Sequence, residues 1–570
     1  MHVARIVRRY KNKTYVTTLL RTSFRHNGSV KHRTLANLSH LPDHLIDVIR
    51  RSLQGEAFTA AQEVIQTQAT LPHGHVQAVL GVIRNLGVDS LIAATPSRQR
   101  NLVLALIAER LLFPCSKLAV TRHWHSTTLA DELGVADADA NELYQAMDWL
   151  RTRQPAIEAK LAQRHLEDDG LVLYDVSSSF YHGHTCPLAH YGHSRDGKKG
   201  LPIIVYGLLT DAAGRPVAVQ VYPGNTSDPK TVPDQVHKLR ERFGLERVVL
   251  VGDRGMLTQT QIDKLRAEPG LGWISALRSP AIRKLLAAGP LERSLFDTVN
   301  LAEIRSPDFP GERLIACYNP LLVERRRQKR TALLVKTEEA LQKLAHAVAR
   351  RKKKPFQRDE IGLKVGRVLN RWKMAKHFRL TISDGHLAWQ RRAEAIKAEE
   401  TLDGIYVIRT SEKSRRMSAA DSVRHYKRLT QVERAFRTWK GLDLMVRPIF
   451  HRVTPRVEAH ILLCLLAYYV EWEMRRAWAP LLFADEEVDK DREERDPVDR
   501  AEPSESAQQK RKTRRTAGGD PVHSFRTLLA DLAGRGRVTY RVSSGDSPAT
   551  FQQVAEATPL QAEALRLLGL

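Results

Sequence analysis

Leu171-Val172-Leu173-Tyr174-Asp175 and Val248-Val249-Leu250-Val251-Gly252-Asp253 are two short apolar runs, each closing on an aspartate. An apolar run of this length bounded by turn signals reads as a buried strand, so each carboxylate is expected where a strand opens to solvent. Residues around them alternate in a definite order. After the first strand come Pro202-Ile203-Ile204-Val205-Tyr206-Gly207-Leu208-Leu209, the turn Asp211-Ala212-Ala213-Gly214, and Val217-Ala218-Val219-Gln220-Val221-Tyr222. A helix is expected over about 229–243, ahead of the strand that ends at Gly252. A second helix starts near Thr258, and Trp273-Ile274-Ser275-Ala276-Leu277 closes the series.

Three strands, a helix, a strand, a helix and a strand make the order of an RNase H-like domain. There the first strand lies centrally, beside the fourth. Asp175 and Asp253, 78 positions apart in the chain, are therefore expected to be neighbours. A third acid, Glu433, lies in the basic, helix-patterned segment Tyr426-Lys427-Arg428-Leu429-Thr430-Gln431-Val432-Glu433-Arg434-Ala435-Phe436-Arg437-Thr438-Trp439-Lys440. Three carboxylates framed by arginine and lysine suit divalent metals acting on a phosphodiester. Two ions roughly 3.5–4 Å apart can activate the attacking oxygen and stabilise the leaving one. Mg²⁺ binds through a few carboxylates plus substrate phosphate. Singly, an aspartate after a strand is most often a turn or cap residue; the combination is what carries the signal.

Composition points to a polyanionic partner. The chain has 90 Lys and Arg against 64 Asp and Glu, a formal net charge of +26, which favours phosphate contacts and counterion release. Its four cysteines, Cys115, Cys186, Cys317 and Cys464, are widely spaced and form no C-x-x-C pair. That spacing predicts a reducing, intracellular setting rather than a disulfide framework. The N-terminus is basic and has no apolar h-region, so no secretory signal is expected. The longest apolar run, Ile461 to Val470, is too short for a membrane span and reads as a buried helix.

The 570 residues divide by pattern into several stretches. Residues 1–55 hold eleven Lys and Arg against Asp43 and Asp47, with strands around Tyr15–Leu20 and Val30 and a turn at Asn27-Gly28. They read as a basic β-rich module touching DNA, or as a solvated hairpin packed on the body. Residues 56–168 are helical by their three-and-four spacing, either a DNA-end-binding domain or a plain scaffold. Residues 169–278 are the first part of the core, 279–400 a mixed insertion, and 401–480 the second part of the core. The insertion carries a long charged helix over about 322–351, ending in the cationic run Arg350-Arg351-Lys352-Lys353-Lys354. Residues 484–520 are charge-dense and read as a disordered linker, and residues 521–570 have no evident role. The expected fold class is α/β: an RNase H-like catalytic core interrupted by a large mixed insertion, with an N-terminal β module and a helical domain.

Several segments together resemble the DDE transposases of bacterial insertion sequences, in the insertion-sequence-four superfamily and its sixteen-thirty-four-like branch. They are Leu173-Tyr174-Asp175-Val176-Ser177-Ser178-Ser179-Phe180, Tyr191-Gly192-His193-Ser194-Arg195-Asp196, Pro223-Gly224-Asn225-Thr226-Ser227-Asp228, Val251-Gly252-Asp253-Arg254-Gly255-Met256, the Glu433 helix, and Val446-Arg447-Pro448-Ile449-Phe450-His451-Arg452. The 180-residue gap between Asp253 and Glu433 fits the branch with a long insertion. The resemblance implies metal-dependent DNA cleavage and strand transfer at the ends of an insertion sequence. It implies Asp175, Asp253 and Glu433 as ligands of two Mg²⁺ or Mn²⁺ ions. That family carries Tyr, two residues, Arg, three residues, Glu, six residues, Lys on its third-acid helix. Tyr426, Glu433 and Lys440 fit, and being seven apart they share one helix face. Tyr426 and Lys440 are then expected at the transposon-end phosphate. The arginine slot holds Leu429, so Arg428 or Arg437 is expected to substitute, Arg437 lying one turn past Glu433. Arg254 is a further candidate for DNA contact.

The partners implied are inverted-repeat ends, target DNA and a second copy in a paired-end dimer, with no membrane, in the cytoplasm and nucleoid of a bacterium. His182, His184, Cys186, His190 and His193 crowd the loop after Asp175 but match no standard zinc spacing. A histidine-rich loop near bound DNA is the expected reading. Two other functions stay open at the level of sequence: another RNase H-like nuclease, and a DNA-binding descendant of a transposase without catalysis.

Overall fold

A computed structural model of the chain describes residues 1–11, 13–58, 65–198, 200–297, 299–542 and 549–570. They form two units, residues 1–71 with 536–556, and residues 72–535 with 557–570.

The larger unit is built on a mixed sheet of eight strands. In chain order these are β1 Gly170–Phe180, β2 Ile203–Thr210, β3 Pro216–Pro223, β4 Val248–Gly252, β5 Leu271–Ala276, β6 Leu301–Ile304, β7 Arg313–Tyr318 and β8 Ile405–Thr410. Across the sheet they lie in the order β6-β7-β8-β5-β4-β1-β2-β3. β1 runs parallel to β4, in register from Gly170 with Val248 to Tyr174 with Gly252, and β4 runs parallel to β5. β1, β2 and β3 form an antiparallel meander. Both faces of the central strands are covered, which is why they read as near-continuous apolar runs.

One strand is longer than its sequence suggests. β1 does not end at Asp175 but continues to Phe180, paired with β2 as far as Ile203. Ser177, Ser178 and Ser179 are buried there, and a serine run looks like a turn when it stands alone. Their hydroxyls have partners: Ser179 Oγ lies 2.8 Å from Tyr206 Oη, and Ser178 Oγ accepts the Arg195 N–H at 3.2 Å. Hydrogen-bonded polar groups are tolerated in a core. Asp175 still sits at a boundary, because β4 stops opposite Tyr174.

The long helices Ala140–His165 and Thr454–Ala477 pack on each other, and both pack on β3. Ile461 to Val470 is buried throughout. Glu158, fully buried, ties the first helix to the sheet: it takes the Lys238 ammonium at 3.1 Å and the Val219 N–H at 3.1 Å. Residues 72–165 are otherwise helical, with Gly74–Asn85 and Arg98–Leu112 contributing apolar faces to the same core.

The inserted region starts inside the sheet rather than beside it. β6 and β7 extend the sheet through β8. Residues 320–391 then make a core of their own, from the helices Pro320–Arg350 and Arg358–Trp372 and the hairpin Phe378–Ser383 with His386–Arg391. Residues 484–520, expected to be a disordered linker, carry helices Val488–Glu494 and Glu505–Thr513. Their charges are answered largely within the segment: Lys510, buried, pairs with Glu486, and it also donates to Ala479 O at 3.0 Å. The C-terminal helix Pro559–Leu567 is part of the main core, where Trp478 Nε1 donates to Ala564 O at 2.8 Å.

The smaller unit holds an antiparallel sheet of His2–Tyr10, Lys13–His26 and Ser29–Asn37, followed by the helix Asp43–Leu53. Asn27 and Gly28 turn the second strand into the third with φ of 50° and 78°, the left-handed geometry that a two-residue hairpin turn requires. Its second sheet joins Ile65–Pro72 to the strands Gly536–Val542 and Ala549–Val554. No helix among the described residues is long and apolar enough to cross a membrane.

Candidate active site

Asp175, Asp253 and Glu433 line one cavity of about 890 Å³ in the larger unit. Each comes from a different element. Asp175 lies on β1 where its pairing with β4 stops, and Asp253 follows the last residue of β4. The parallel register thus brings the two aspartates together. Glu433 projects from the helix Leu429–Lys440.

That helix is fixed by its opposite side. Val432, Ala435, Phe436 and Trp439 are buried. The Trp439 ring stacks on Tyr206 at 5.9 Å between centroids, and Phe436 lies 5.8 Å from the same ring. Tyr206 is paired with Ser177 and bonded to Ser179, so one aromatic contact couples the helix bearing Glu433 to the strand bearing Asp175. Tyr426 lies in the last turn of the preceding helix, Ala419–Lys427. The two helices meet at Arg428, whose φ of −63° and ψ of −17° keep the helical direction. Tyr426, Glu433 and Lys440 therefore face the same cavity despite the break.

The carboxylates influence one another. Burial pushes the Asp175 carboxyl up to about 7; Asp253 and Glu433 push the same way, against the Val176 N–H and Arg195. Burial also raises the Tyr426 phenol, with Asp253 adding to the effect. Asp253 is exposed, and its side chain accepts the Gly255 N–H at 3.2 Å. Among the described residues no group of three or more His, Cys, Asp or Glu side chains is placed to hold a metal ion. An open set of oxygen donors is what a site completed by water and substrate phosphate requires.

A second layer of residues, to which sequence pattern gives no role, surrounds the carboxylates. Asp196 is buried to 2 % side-chain exposure and uses both oxygens. Oδ1 takes Lys440 Nζ at 3.0 Å and an Arg447 guanidinium nitrogen at 2.6 Å, while Oδ2 accepts the Phe180 N–H at 3.0 Å. Arg195 pairs with Asp228. All five line the cavity, as does His193. Two glycines make this possible. A Cβ on Gly192 would sit 2.0 Å from Gly224 O, and one on Gly224 would sit 1.9 Å from Ile203 O. Only glycine lets the loops holding Arg195-Asp196 and Asp228 lock together over β2. The segments around Gly192 and Gly224 were the signal for these residues, although spacing alone gives them no role.

The candidates for the missing arginine part company. Arg437 is exposed and lines the cavity. Arg428 is turned away and donates to Ala212 O at 3.2 Å, in the turn joining β2 to β3. Leu429 lines the cavity at 9 % exposure. Arg254 is exposed beside Asp253, and its carbonyl accepts Arg278 Nε at 3.2 Å. In the histidine-rich loop, Cys186 is buried while His182, His184, His190 and His193 are exposed, and His190 Nε2 lies 2.9 Å from Pro187 O. All four cysteines are free thiols.

Comparison with known proteins gives two family matches. Residues 172–470 match the family described as "Transposase DDE domain". Residues 3–68 match the "IS1634 family transposase, N-terminal domain". No curated protein matches the chain. Among solved structures it is similar to the piggyBac transposase in a synaptic complex with hairpin DNA, at 10 % identity over 80 % of this chain and 78 % of that one, with a TM-score of 0.33. A likeness that weak carries no argument about the site.

Proposed function

The chain belongs to the DDE transposases, enzymes that cleave DNA and transfer its strands in transposition, and on that premise we propose that Asp175, Asp253 and Glu433 hold the divalent ions of the reaction. The observation that carries this reading is their convergence: three carboxylates from three elements open into one cavity that Arg195, Lys427, Arg437, Lys440 and Arg447 also line. The order β3-β2-β1-β4-β5 within the sheet supports an RNase H-like core around them. Two Mg²⁺ or Mn²⁺ ions bound there would supply an activated oxygen nucleophile and charge stabilisation at the scissile phosphate.

The rest is done by the chain. Asp175, Asp253 and Glu433 present oxygens on one side of the reacting phosphodiester. Lys440 and Arg437 answer the charge of the flanking phosphates, and Tyr426 orients the strand against Asp253. Arg254, exposed beside Asp253, contacts the DNA backbone. Asp196 and Asp228 fix the cations Lys440, Arg447 and Arg195, so that they meet the substrate already oriented, as electrostatic catalysis requires. The DNA is the inverted-repeat end of the element and then its target. Two chains act together on paired ends.

Substitution provides the test. Asp175→Ala, Asp253→Ala and Glu433→Ala should each abolish end cleavage while leaving inverted-repeat binding intact, and chelation should do the same to the unsubstituted chain. Cleavage that survives in any of the three variants, or in chelator, overturns the assignment.

A further inference from the structure

A second cavity of about 890 Å³ adjoins the first, and the two share Tyr426, Lys427, Thr430 and Arg437 as a common wall. Its lining carries nine arginine and lysine side chains against four carboxylates. One side is formed by the two helices that meet at Arg428 and by the start of the helix Pro320–Arg350. The far side is the segment from Asp485 to Arg511. That segment is held by its backbone. Arg424 donates to Arg492 O and Arg495 O, both at 3.2 Å, Lys427 to Asp499 O at 3.3 Å, and Asn319 to Val498 O at 3.0 Å.

Apart from Lys427 and Arg437, which line both, the two cavities differ in how their cations are engaged. In the first, Arg195, Lys440 and Arg447 are committed to Asp228 and Asp196. In the second, Arg325, Arg434 and Arg500 are exposed, and no ion pair joins them to a described carboxylate. Unpaired guanidiniums converging on one concave surface are electrostatically complementary to phosphate. Contacts to phosphate fix a duplex in place without reading its sequence, which suits a DNA whose sequence need not be read.

We propose that this second cavity seats target DNA, held through its phosphates by Arg325, Arg434 and Arg500 and delivered across the shared wall to the carboxylates. The inference rests on the reading of the first cavity as the catalytic site. Both the element's end and the target must reach the same carboxylates, and the second cavity adjoins the first at the wall they share. The shared wall of Tyr426 and Arg437 is where the two DNAs would meet.

The test separates the two reactions. Arg325→Gln, Arg434→Gln and Arg500→Gln are made singly and together in the full chain. Each variant is given uncut inverted-repeat DNA for cleavage, and a precleaved inverted-repeat oligonucleotide with a supercoiled plasmid for strand transfer. End binding and end cleavage should be unchanged. Strand transfer by the combined variant should fall about tenfold or more, and the slope of log plasmid affinity against log salt should become shallower by about 0.9 for each phosphate that is no longer neutralised. Cleavage and transfer falling together would assign the cavity to end or flanking DNA and overturn the proposal. No change in either would mean that DNA does not lie there. Asp175→Ala is the control: strand transfer surviving in that variant defeats the reading of the first cavity instead. Melting curves guard against misfolding, with the single substitutions standing in if the combined variant is unstable.

Discussion

Asp196 has no freedom left to bind anything else: one oxygen is shared by Lys440 and Arg447 and the other holds the Phe180 amide. It acts through its cations. Asp196→Asn keeps the shape and the amide contact but removes the charge. End cleavage should fall about tenfold to a hundredfold, the scale of losing an oriented electrostatic group. Affinity for the inverted repeat should hold or rise, because a negative charge near phosphate is gone. Cleavage and affinity falling in parallel would make Asp196 merely structural. Arg437 and Arg428 give a second contrast. Arg437→Ala should impair cleavage more than Arg428→Ala. The latter should instead lower stability by about 1 kcal/mol by removing the hydrogen bond to Ala212 O. The reverse order in cleavage assays would mean that the wrong guanidinium faces the substrate. At this scale the sequence is legible in placement: the three acids, Tyr426 and Lys440, singled out by residue type and spacing, line one cavity. It is silent about Asp196 and Asp228, because a buried aspartate becomes informative only when its partners are known, and those partners lie up to 251 residues away.

At the scale of elements, the decisive contact is the aromatic stack of Trp439 on Tyr206. Trp439 is fully buried, and replacing such a side chain with alanine typically costs about 3–5 kcal/mol. Trp439→Ala should lose that much in urea unfolding. It should also lose cleavage beyond what unfolding explains at the assay temperature, because Glu433 is on the same helix. A stable Trp439→Ala with normal cleavage would mean that the helix is held by something else. The pattern of apolar runs reveals β2, β3, β4 and the buried stretch Ile461–Val470 of the helix Thr454–Ala477 directly from sequence. It misses the second half of β1, because Ser177, Ser178 and Ser179 look like a loop and are reconciled with burial only by Tyr206 and the Arg195 amide. It misjudges residues 484–520 for a related reason. Dense charge predicts disorder when the charges are unanswered, but here Arg424, Lys427 and Asn319 hold the backbone of the segment.

Over the whole molecule, the formal net charge of +26 is unevenly spread. Residues 1–42 contain nine Lys and Arg and no acid, and the third strand there, Ser29–Asn37, is exposed along its length. Neutralising Arg25, Lys31 and Arg33 together should weaken end binding and make its salt slope shallower by about 0.9 for each phosphate set free. An unchanged slope would move end recognition to the helices of residues 72–165. Composition reveals the polyanionic partner at once. It does not reveal that residues 536–542 and 549–554 complete a sheet with residues 65–72, because pairing across so long a chain leaves no local pattern.

The central claim is that Asp175, Asp253 and Glu433 form one metal centre. Iron-directed hydroxyl-radical cleavage tests it most directly. Fe²⁺ replaces Mg²⁺ on the DNA-bound protein, and the radicals it generates cut the polypeptide backbone beside the ion. Cuts should cluster around residues 175, 253 and 433, be suppressed by excess Mg²⁺ and be absent from Asp175→Ala. Cuts confined to residues 182–193, or spread without preference for the three acids, would contradict it.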